Sequence, residues 1–554
     1  MFTDKRNILQ LAALLRAHGV GKVVLCPGSR DIPIVQTLLN SGHMDCYAMT
    51  DERSAGFFAL GLALHEGVPV AVCCTSGTAL LNLHPAVAEA YYQQVPLVVI
   101  SADRPSAWIG QMDGQTLPQP GVFGSLVKRS VHLPEVHTAE DEWYCNRLAN
   151  EALLELTHHG MGPVHINVPV SEPFFQLPVH ALLTVRVIHR YTDLGQLAPD
   201  GASLSAHFNR YHRRMAVVGQ TAPTVQADAA VAGRLSGQMV WIAEQLGRHA
   251  VPGHSVAMID RLLASVDEAE MEALRPQLLI TYGGHVVSKR LKQFLRKHPP
   301  VEHWHVAADG AVVDLYGCLT TVIEMAPADF FAQLASLSEG NIAAYSRQWE
   351  LKEAALAPAA FAYSEMQVVG SALQALPVPS VLHLANSSVV RYAQMFDLPE
   401  GVEVLANRGT SGIEGSLSTA VGYAAVSEKL NFVFIGDLSF FYDMNALWNG
   451  YCGNNLRILV LNNGGGEIFH SLPGLELSPE ARRYVAGTHA ATAKAWAVDR
   501  GFDYVPVYDE ATLLAALPAF ADSRCGQRPM LLEAFTDAEM DANLLKKYYQ
   551  NLKL

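Results

Sequence analysis

Short apolar runs alternate with stretches of helical periodicity along most of the chain. In the first third, the apolar runs are KVVLC (22–26), DCYAMT (45–50), PVAVCCT (69–75), PLVVIS (96–101) and PVHINVP (163–169). Continuous apolar strands separated by helices are typical of a parallel sheet covered on both faces. The pattern therefore predicts an α/β fold. Ligands of such sheets bind at the carboxyl ends of the strands, so function is expected in the segments that follow them.

This rhythm is interrupted twice, at residues 172–210 and at the Ala- and Pro-rich stretch near 356–365. Both interruptions are predicted to be linkers, because strand-like runs return after each of them. Three α/β domains with parallel sheets follow from this pattern, and we expect them to span residues 1–182, 205–345 and 365–554.

Composition narrows the class of protein. The 554 residues contain 39 Lys and Arg against 53 Asp and Glu, a net charge of −14, which argues against nucleic acid or an anionic membrane as partner. Eight cysteines without a CxxC pair indicate reduced thiols and a cytoplasmic location. The first residues predict an amphipathic helix without the features of a signal peptide. No apolar run reaches the ~20 residues of a membrane span.

Two motifs near the end of neighbouring predicted strands carry the most specific chemistry. Gly436, Asp437 and Leu438 follow one apolar run, and Asn462-Asn463 ends the next, before three glycines. Carboxylate and amide oxygens are hard ligands suited to Mg²⁺, which often also holds phosphate oxygens. Glycine turns add backbone N–H groups that cradle phosphate. One interpretation is a diphosphate clamped by a metal, and the alternative is two turns that merely end core strands.

The GDL motif, a gap of 23 residues (439–461) and the NN pair resemble the motif of thiamine diphosphate enzymes, which usually has glycine at the position of Leu438. These enzymes also need a glutamate that hydrogen-bonds the aminopyrimidine ring. Glu52, in TDERSAGFFALGLA, follows a predicted strand at a helix start, where that glutamate lies. By itself, a carboxylate in the first helical turn more often only compensates the helix dipole.

Further segments resemble one family, the 2-succinyl-5-enolpyruvyl-6-hydroxy-3-cyclohexene-1-carboxylate synthases of the menaquinone pathway. The resemblance extends over residues 20–475 and is weak after that point. It rests on CPGSRDIPI (26–34), TSGTALLNLHPAVAEAY (75–91), SADRP (101–105), GQTLPQPGVFG (114–124), HINVPVSEP (165–173), SKRL (288–291), NSSVVR (386–391), NRGTSGIEGSLSTAVG (407–422), GDLSFFYDMNAL (436–447) and NNGGGEIFHSLP (462–473).

The resemblance implies a three-domain thiamine diphosphate-binding fold and a transferase that joins decarboxylated 2-oxoglutarate to isochorismate by 1,4-addition, with release of CO₂. It also implies thiamine diphosphate and Mg²⁺ (or Mn²⁺) as cofactors, and a homodimer or dimer of dimers with each site shared by two chains. Glu52 would activate the cofactor, and Asp437, Asn463 and the Gly465 carbonyl would bind the metal. The other cofactor-binding residues implied are Ser387, Ile413, Gly436 and Leu438.

Both substrates are dicarboxylates, and arginine binds carboxylates bidentately. The resemblance places Ser29, Arg30, Arg104, Gln115, Lys289 and Arg290 around isochorismate. It places Ser387, Arg391 and Arg408 near the succinyl part. Ile413 would bend the cofactor, and Ile468, Phe469 and Leu472 would form an apolar wall that keeps water out. Two positions depart from the family: Gly114 replaces a common Asn, and Glu467 a common Gln.

Two alternatives remain open on the sequence. The first is another thiamine-dependent decarboxylase or carboligase, similar to acetolactate synthase, but such enzymes act on small monocarboxylates and would not need the arginine set. The second is a non-catalytic relative that only binds a diphosphate, against which Glu52 argues. The 22 histidines contain no HExxH motif and are interpreted as structural or surface residues.

Overall fold

The computed structural model describes residues 1–190, 201–223, 225, 228, 231, 234–235, 237–251, 255–337, 343–470, 478–524 and 526–552. Their strands form three sheets in which every pairing is parallel. The predicted α/β fold with three parallel-sheet domains is confirmed. The three domain boundaries stay a prediction.

The first sheet has the strand order β2-β1-β3-β4-β6-β5. Its strands are β1 (Lys22–Leu25), β2 (Asp45–Ala48), β3 (Val70–Cys74), β4 (Leu97–Asp103), β5 (Arg129–His132) and β6 (Val164–Pro169). The second sheet has the order β11-β10-β9-β7-β8. Its strands are β7 (Arg214–Val218), β8 (Val240–Ala243), β9 (Leu278–Tyr282), β10 (Glu302–Ala307) and β11 (Thr321–Glu324).

The third sheet has the order β13-β12-β14-β15-β17-β16. Its strands are β12 (Ser380–Leu384), β13 (Val402–Leu405), β14 (Leu430–Gly436), β15 (Leu456–Asn462), β16 (Asp503–Val507) and β17 (Met530–Phe535). The carboxyl ends of β14 and β15 are adjacent, because the two strands pair from Asn431 to Gly436. This adjacency brings the GDL and NN motifs to one edge of the sheet.

The helices connect successive strands. They are α1 (Arg6–Ala17), α2 (Ile32–Asn40), α3 (Glu52–Glu66), α4 (Thr78–Asn82), α5 (His84–Gln93), α6 (Ala139–Glu155), α7 (Gly201–Arg210), α8 (Ile259–Ser265), α9 (Glu268–Leu274), α10 (Lys289–Lys297), α11 (Pro327–Leu337), α12 (Ala343–Ala354), α13 (Glu365–Gln374), α14 (Ser388–Ala393), α15 (Ser416–Ala424), α16 (Asp437–Tyr442), α17 (Pro479–Val485), α18 (Lys494–Asp499), α19 (Glu510–Phe520) and α20 (Ala538–Asn551). In the described part of the chain, no helix is long and apolar enough to cross a membrane.

The sequence pattern identified the central strands better than the outer ones. β3, β4, β6, β12 and β15 are buried along their whole length, which explains their continuous apolar runs. The strands that the pattern missed, β5, β11 and β16, lie at the outer edges of their sheets and are largely half-exposed. The first predicted linker also contains α7, and residues 191–200 within it lie outside the described residues.

The chain divides into two compact units. The first combines the N-terminal part of the chain with residues 409–428 and 443–453, and the second holds the remainder, including the second and third sheets. Two segments that connect strands of the third sheet therefore pack in the first unit. One of them contains α15, and the other begins directly after α16.

Within the first unit, α3 and α15 approach each other so closely that only glycine fits at the contact. A Cβ atom on Gly61 would lie 2.1 Å from the backbone oxygen of Thr419, and one on Gly422 would lie 2.2 Å from that of Phe58. Carbon atoms do not approach oxygen to such distances, so any larger residue would force the two helix backbones apart. The contact attaches residues 409–428 to the helix that begins at Glu52.

We expect Gly61→Ala to lower the free energy of unfolding by about 1–3 kcal/mol, as is usual for overpacking. Alanine is otherwise favoured over glycine inside a helix, by about 1 kcal/mol, so a net loss isolates the clash at the Thr419 carbonyl. Thermal and urea unfolding of the purified protein would measure the effect. Gly21→Ala is the matched control, because a Cβ there meets no atom within 4 Å. Equal stability of the two variants would contradict the close contact.

Candidate active site

Glu52 begins α3 directly after the loop that leaves the edge strand β2. The Asp51 side chain caps this helix, because its Oδ1 accepts hydrogen bonds from the backbone N–H groups of Arg53 (3.0 Å) and Ser54 (3.2 Å). Nδ2 of Asn82 lies 3.5 Å from Oε2 of Glu52. Glu52 is half-buried, so its carboxylate is held at a fixed helix end while remaining accessible.

Arg30 is a buried cation in the first unit, with 5% of its surface exposed. Its Nη1 donates to the Val170 carbonyl at 3.0 Å, and its guanidinium lies over the ring of Phe174. Burial lowers the pKa of Arg30, and the positive charge of Arg104 lowers that pKa further. Arg30 also has a carboxylate partner, since its Nη2 lies 3.5 Å from Oε1 of Glu172.

Arg104 holds the loop that contains Gln115. Its Nε donates to the Gly114 carbonyl at 3.0 Å, and its Nη1 lies 3.1 Å from Oδ2 of Asp113. The backbone of Gln115 has a φ of +55°, an uncommon value for a residue with a side chain. Gln115 is exposed, as is Ser29 on the loop after β1. The four residues predicted for isochorismate in this unit thus lie on loops that follow strands, and Arg30 and Arg104 interact.

The NRGTSG turn is also anchored in the first unit, by a residue that the sequence analysis did not single out. Glu89 on α5 is 1% exposed and accepts hydrogen bonds from the backbone N–H groups of Gly409 (2.8 Å) and Thr410 (2.7 Å). It also accepts from the Thr410 hydroxyl at 2.7 Å. Ile413, in the same turn, is 40% exposed.

A second group of cations lies in the second unit. Arg408 is buried and donates from Nη1 to Oδ1 of Asn386 at 2.8 Å, whereas Arg391 on α14 is exposed. Ser387, the residue directly before α14, adopts a φ of +70°, so this helix starts from a strained turn. The positive charges of Arg408 and Arg391 both lower the pKa of Lys292, after burial, which is the main cause. The carboxylate of Glu244 acts in the opposite direction and raises the pKa of Lys292.

Lys289 and Arg290 form the first turn of α10. Ser288 caps this helix by accepting from the Leu291 N–H at 2.9 Å. Glu244 is 3% exposed and accepts the N–H groups of Val287 and Ser288, both at 2.5 Å, and burial raises its pKa to about 7. Lys289 is exposed, and Arg290 stacks over the ring of Tyr549. The helix start that presents the two cations is thus fixed by buried hydrogen bonds.

The GDL and NN motifs meet at the carboxyl ends of β14 and β15, as predicted. Asp437 is 2% exposed, and its Oδ2 accepts the N–H groups of Gly464 (2.9 Å) and Gly465 (3.0 Å). Its Oδ1 accepts the N–H of Leu438 at 2.6 Å, and burial raises the pKa of Asp437. A Cβ on Gly436 would meet no atom within 4 Å, so there is open space at the position just before Asp437.

His489 contacts the same carboxylate, with Nε2 at 3.2 Å from Oδ2 of Asp437. Its Nδ1 accepts the N–H of Ala491 at 3.1 Å, which holds the ring in place. The sequence analysis did not single out His489, and the interpretation of the histidines as structural or surface residues stays a prediction. His489 lies beyond residue 475, where the family resemblance is weak.

Buried carboxylates surround Asn463. Its Nδ2 donates to Oε1 of Glu365 at 2.8 Å, and its Oδ1 accepts the N–H of Gly465 at 3.1 Å. Burial and the neighbouring Glu467 raise the pKa of Glu365 well above its usual value. Oε1 of Glu467 accepts a hydrogen bond from the Tyr392 hydroxyl. Glu467, the residue that departs from the family, is therefore engaged inside the protein.

The remaining predicted positions of this unit are Ile468 and Phe469, which are half-buried after the glycine turn. Leu472 lies outside the described residues. Among the described residues, no group of three or more His, Cys, Asp and Glu is arranged to hold a metal ion. A cation at the GDL and NN motifs would therefore bind through one carboxylate, one amide oxygen and backbone oxygen. Hard oxygen donors of this kind fit Mg²⁺.

The sequence comparisons agree with this architecture. Residues 9–122 match the family model of the thiamine pyrophosphate enzymes' N-terminal TPP-binding domain, and residues 206–384 match the middle domain of such enzymes. An X-ray structure assigned to a thiamin diphosphate-dependent enzyme of Mycobacterium smegmatis superimposes with a TM-score of 0.71 at 18% identity, over 96% of this chain and 100% of that one. Together they define the protein as a thiamine diphosphate-dependent enzyme.

The family of the protein follows from its similarity to curated relatives. The 2-succinyl-5-enolpyruvyl-6-hydroxy-3-cyclohexene-1-carboxylate synthase of Bacteroides fragilis is 60% identical over 554 residues, with 100% of both chains covered. The synthases of Bacteroides thetaiotaomicron and Flavobacterium johnsoniae are 59% and 36% identical, the latter over 97% of both chains. The chain belongs to the 2-succinyl-5-enolpyruvyl-6-hydroxy-3-cyclohexene-1-carboxylate synthase family. The resemblance found in the sequence is confirmed, whereas the roles of individual site residues stay predictions.

We expect Glu89→Gln to lower the free energy of unfolding by about 1–3 kcal/mol, because the amide would direct its own N–H groups at the donors of Gly409 and Thr410 and leave buried groups unpaired. Thermal unfolding would measure the loss. Glu142→Gln is the matched control, since Glu142 forms an exposed ion pair with Arg6 that should contribute less than about 1 kcal/mol. Equal effects of both substitutions would show that Glu89 does not anchor the turn.

Proposed function

We propose that the protein joins the succinyl unit of decarboxylated 2-oxoglutarate to isochorismate by 1,4-addition and releases CO₂, as a transferase of menaquinone biosynthesis. The family membership makes it an enzyme of this synthase type. The observation that carries the choice of substrates is Arg30, a cation with 5% of its surface exposed on a loop that follows a strand, in a protein of net charge −14. Small monocarboxylates would not require this arrangement.

The cations of the two units fit the two substrates. Arg30 and Arg104, with Ser29, Gln115, Lys289 and Arg290, are proposed to bind isochorismate. Arg391 and Arg408, with Ser387, are proposed to bind the succinyl carboxylate. Arg408 is buried, so an ion pair that it forms would be desolvated and strong.

Thiamine diphosphate supplies an electron sink for the decarboxylation and the new carbon–carbon bond. The residues at the ends of β14 and β15 fit its diphosphate and a divalent cation, Mg²⁺ or alternatively Mn²⁺. Asp437, Asn463 and the Gly465 carbonyl would hold the cation, since carboxylate, amide and carbonyl oxygens are hard donors that suit Mg²⁺. Gly436, Leu438 and Ser387 would line the cofactor.

Glu52 is proposed to be the residue that exchanges a proton with the aminopyrimidine ring, because its position after β2 is fixed by the Asp51 cap while its side chain stays accessible. Ile413 is 40% exposed and would pack against the cofactor when it is bound. Ile468, Phe469 and Leu472 would exclude water from the reacting atoms, which protects a carbanion from protonation.

The active protein is proposed to be a cytoplasmic homodimer, alone or paired into a tetramer. The seven cysteines in the described part of the chain are all free, as is expected in a reducing compartment. Glu52 belongs to the first unit and Asp437 to the second, yet one cofactor has to reach both. In the family arrangement that the sequence resembles, these groups come from the two chains of a dimer.

The test of the function is turnover with thiamine diphosphate, Mg²⁺, 2-oxoglutarate and isochorismate, measured as CO₂ release together with product formation. We expect activity with this pair, and at least about 10²-fold less when pyruvate replaces 2-oxoglutarate, because the second carboxylate is then missing from the cation group. Glu52→Gln should reduce turnover by roughly 10²–10⁴-fold. Equal rates with pyruvate would favour an enzyme similar to acetolactate synthase.

We expect Asp437→Ala to abolish the Mg²⁺-dependent part of thiamine diphosphate binding, because the diphosphate would lose the cation that bridges it to the protein. Calorimetric titrations with the cofactor, in the presence of Mg²⁺ and of a chelator, would measure it. The matched control is Asp499→Ala, which removes an exposed carboxylate paired with Arg500. A cofactor affinity that is the same with and without chelator in the unsubstituted protein would remove this metal site.

Complementation tests whether the site is shared between chains. Glu52→Gln and Asp437→Ala chains should each be inactive, but after mixing and subunit exchange a heterodimer would carry one doubly substituted site and one intact site. At full exchange half of the dimers are mixed, so we expect roughly a quarter of the unsubstituted activity. Native mass spectrometry would count the heterodimers. Heterodimers without activity would mean that each site is built within one chain.

A further inference from the structure

Part of the GDLSFFYDMNAL segment has no role in the cation site at Asp437. The chain leaves α16 at Tyr442, and residues 443–451, here called the brace, pack in the first unit. The brace contains a short 3₁₀ turn, Met444–Leu447. It contacts the loop between β2 and α3, which presents Glu52.

One contact reaches the residue that caps α3. Nδ2 of Asn445 donates to Oδ2 of Asp51 at 2.9 Å. The other oxygen of Asp51, Oδ1, accepts the two N–H groups at the start of the helix. Both oxygens of the capping carboxylate are thus engaged, and its orientation is fixed from both sides. Glu52 is the next residue in the chain, so its backbone follows the orientation of this cap.

A second contact holds the other end of the same loop. The backbone N–H of Ala48, the last residue of the edge strand β2, donates to the Tyr451 hydroxyl at 2.8 Å. The Tyr451 ring packs against Tyr47 and Phe58, with centroid distances of 5.3 and 5.5 Å. β2 has a neighbour on only one side, so this edge N–H would otherwise have no strand to pair with. The loop is therefore tied at Ala48 and at Asp51.

The brace is itself fixed. Asp443 is fully buried and accepts the N–H and the hydroxyl of Ser418, each at 2.7 Å, and its charge interacts favourably with that of Arg53. Ser418 lies on α15, which is in backbone contact with α3 at Gly61. Asn445 is two residues from this anchor, so its amide is held by a rigid support and not by a free loop.

We propose that Asn445 and Tyr451 are positioning residues for Glu52, which set the place and direction of its carboxylate toward the aminopyrimidine ring. Neither side chain touches the cofactor or the substrates in this role. The inference rests on the function proposed for Glu52. It assigns to this part of the segment a task that the cation-binding Asp437, eight positions before Asn445, does not perform.

The test measures activation of the cofactor directly, without turnover. Protein loaded with thiamine diphosphate and Mg²⁺ is diluted into D₂O, quenched with acid, and the loss of the thiazolium C2 proton is followed by ¹H NMR. In Asn445→Ala we expect this exchange to be at least about tenfold slower, since small displacements of a catalytic group have effects of that size. The dissociation constant of the cofactor should change by less than about threefold, because the diphosphate site is intact.

Two further variants distinguish a positioning role of Asn445 from a general contribution to the stability of the unit. Asn40→Ala removes an amide hydrogen bond of 2.7 Å, to the Met1 carbonyl, in the same unit and should leave the exchange rate unchanged. In a Glu52→Gln background, Asn445→Ala should cause no further slowing, because a residue that acts only through Glu52 has nothing left to position. Additional slowing there would overturn the proposal.

Stability is measured on the same variants. If Asn445→Ala fails to fold, the same measurement is made on Tyr451→Phe, which keeps the ring contacts and removes only the hydroxyl. We then expect the exchange of the C2 proton to be about threefold slower. A lowered unfolding temperature with an unchanged exchange rate would make the brace purely structural and would overturn the proposal. Exchange that does not depend on Glu52 at all would overturn the proposed role of Glu52 together with it.

Discussion

The close contact of α3 with α15 is the constraint on which the first unit depends. Glycine has no side chain, so at Gly61 and Gly422 the backbones of the two helices lie in direct contact. Two segments that connect strands of the third sheet are thereby part of the unit that contains the first sheet. Glu52 at the start of α3, Ile413 before α15 and the Asp443 anchor are all placed by this one contact. A larger residue at either glycine would separate the helices and displace all three.

Buried positive charges occur in this protein although its net charge is negative. The chain has a net charge of −14, yet Arg30 is buried in one unit and Arg408 in the other. A carboxylate that binds a buried arginine is attracted strongly, because little water screens the two charges. Near Asn463 the buried side chains are acidic instead, since Glu365 and Glu467 lie close together. A divalent cation at Asp437 would offset part of this negative charge.

The sequence was sufficient for the features that depend on local pattern and order. The central strands, the position of Glu52 at a helix start, and the meeting of the GDL and NN motifs could be predicted, because adjacent buried strands and their turns leave local patterns. Contacts between distant segments could not. Glu89 binds a turn 320 residues away, and Asn445 meets Asp51 across 394 residues. His489 and Glu365 were missed for the same reason, since neither lies in a recognisable motif.

The GDLSFFYDMNAL segment makes two separate sets of contacts. Asp437 is tied to the glycine turn after β15, and Asn445, eight positions later, is tied to the cap of α3. The helix α16 spans Asp437–Tyr442 and ends before Asn445. A substitution at the exposed Tyr442 removes none of these hydrogen bonds. The two sets of contacts can therefore be tested separately by substitution, because no residue takes part in both.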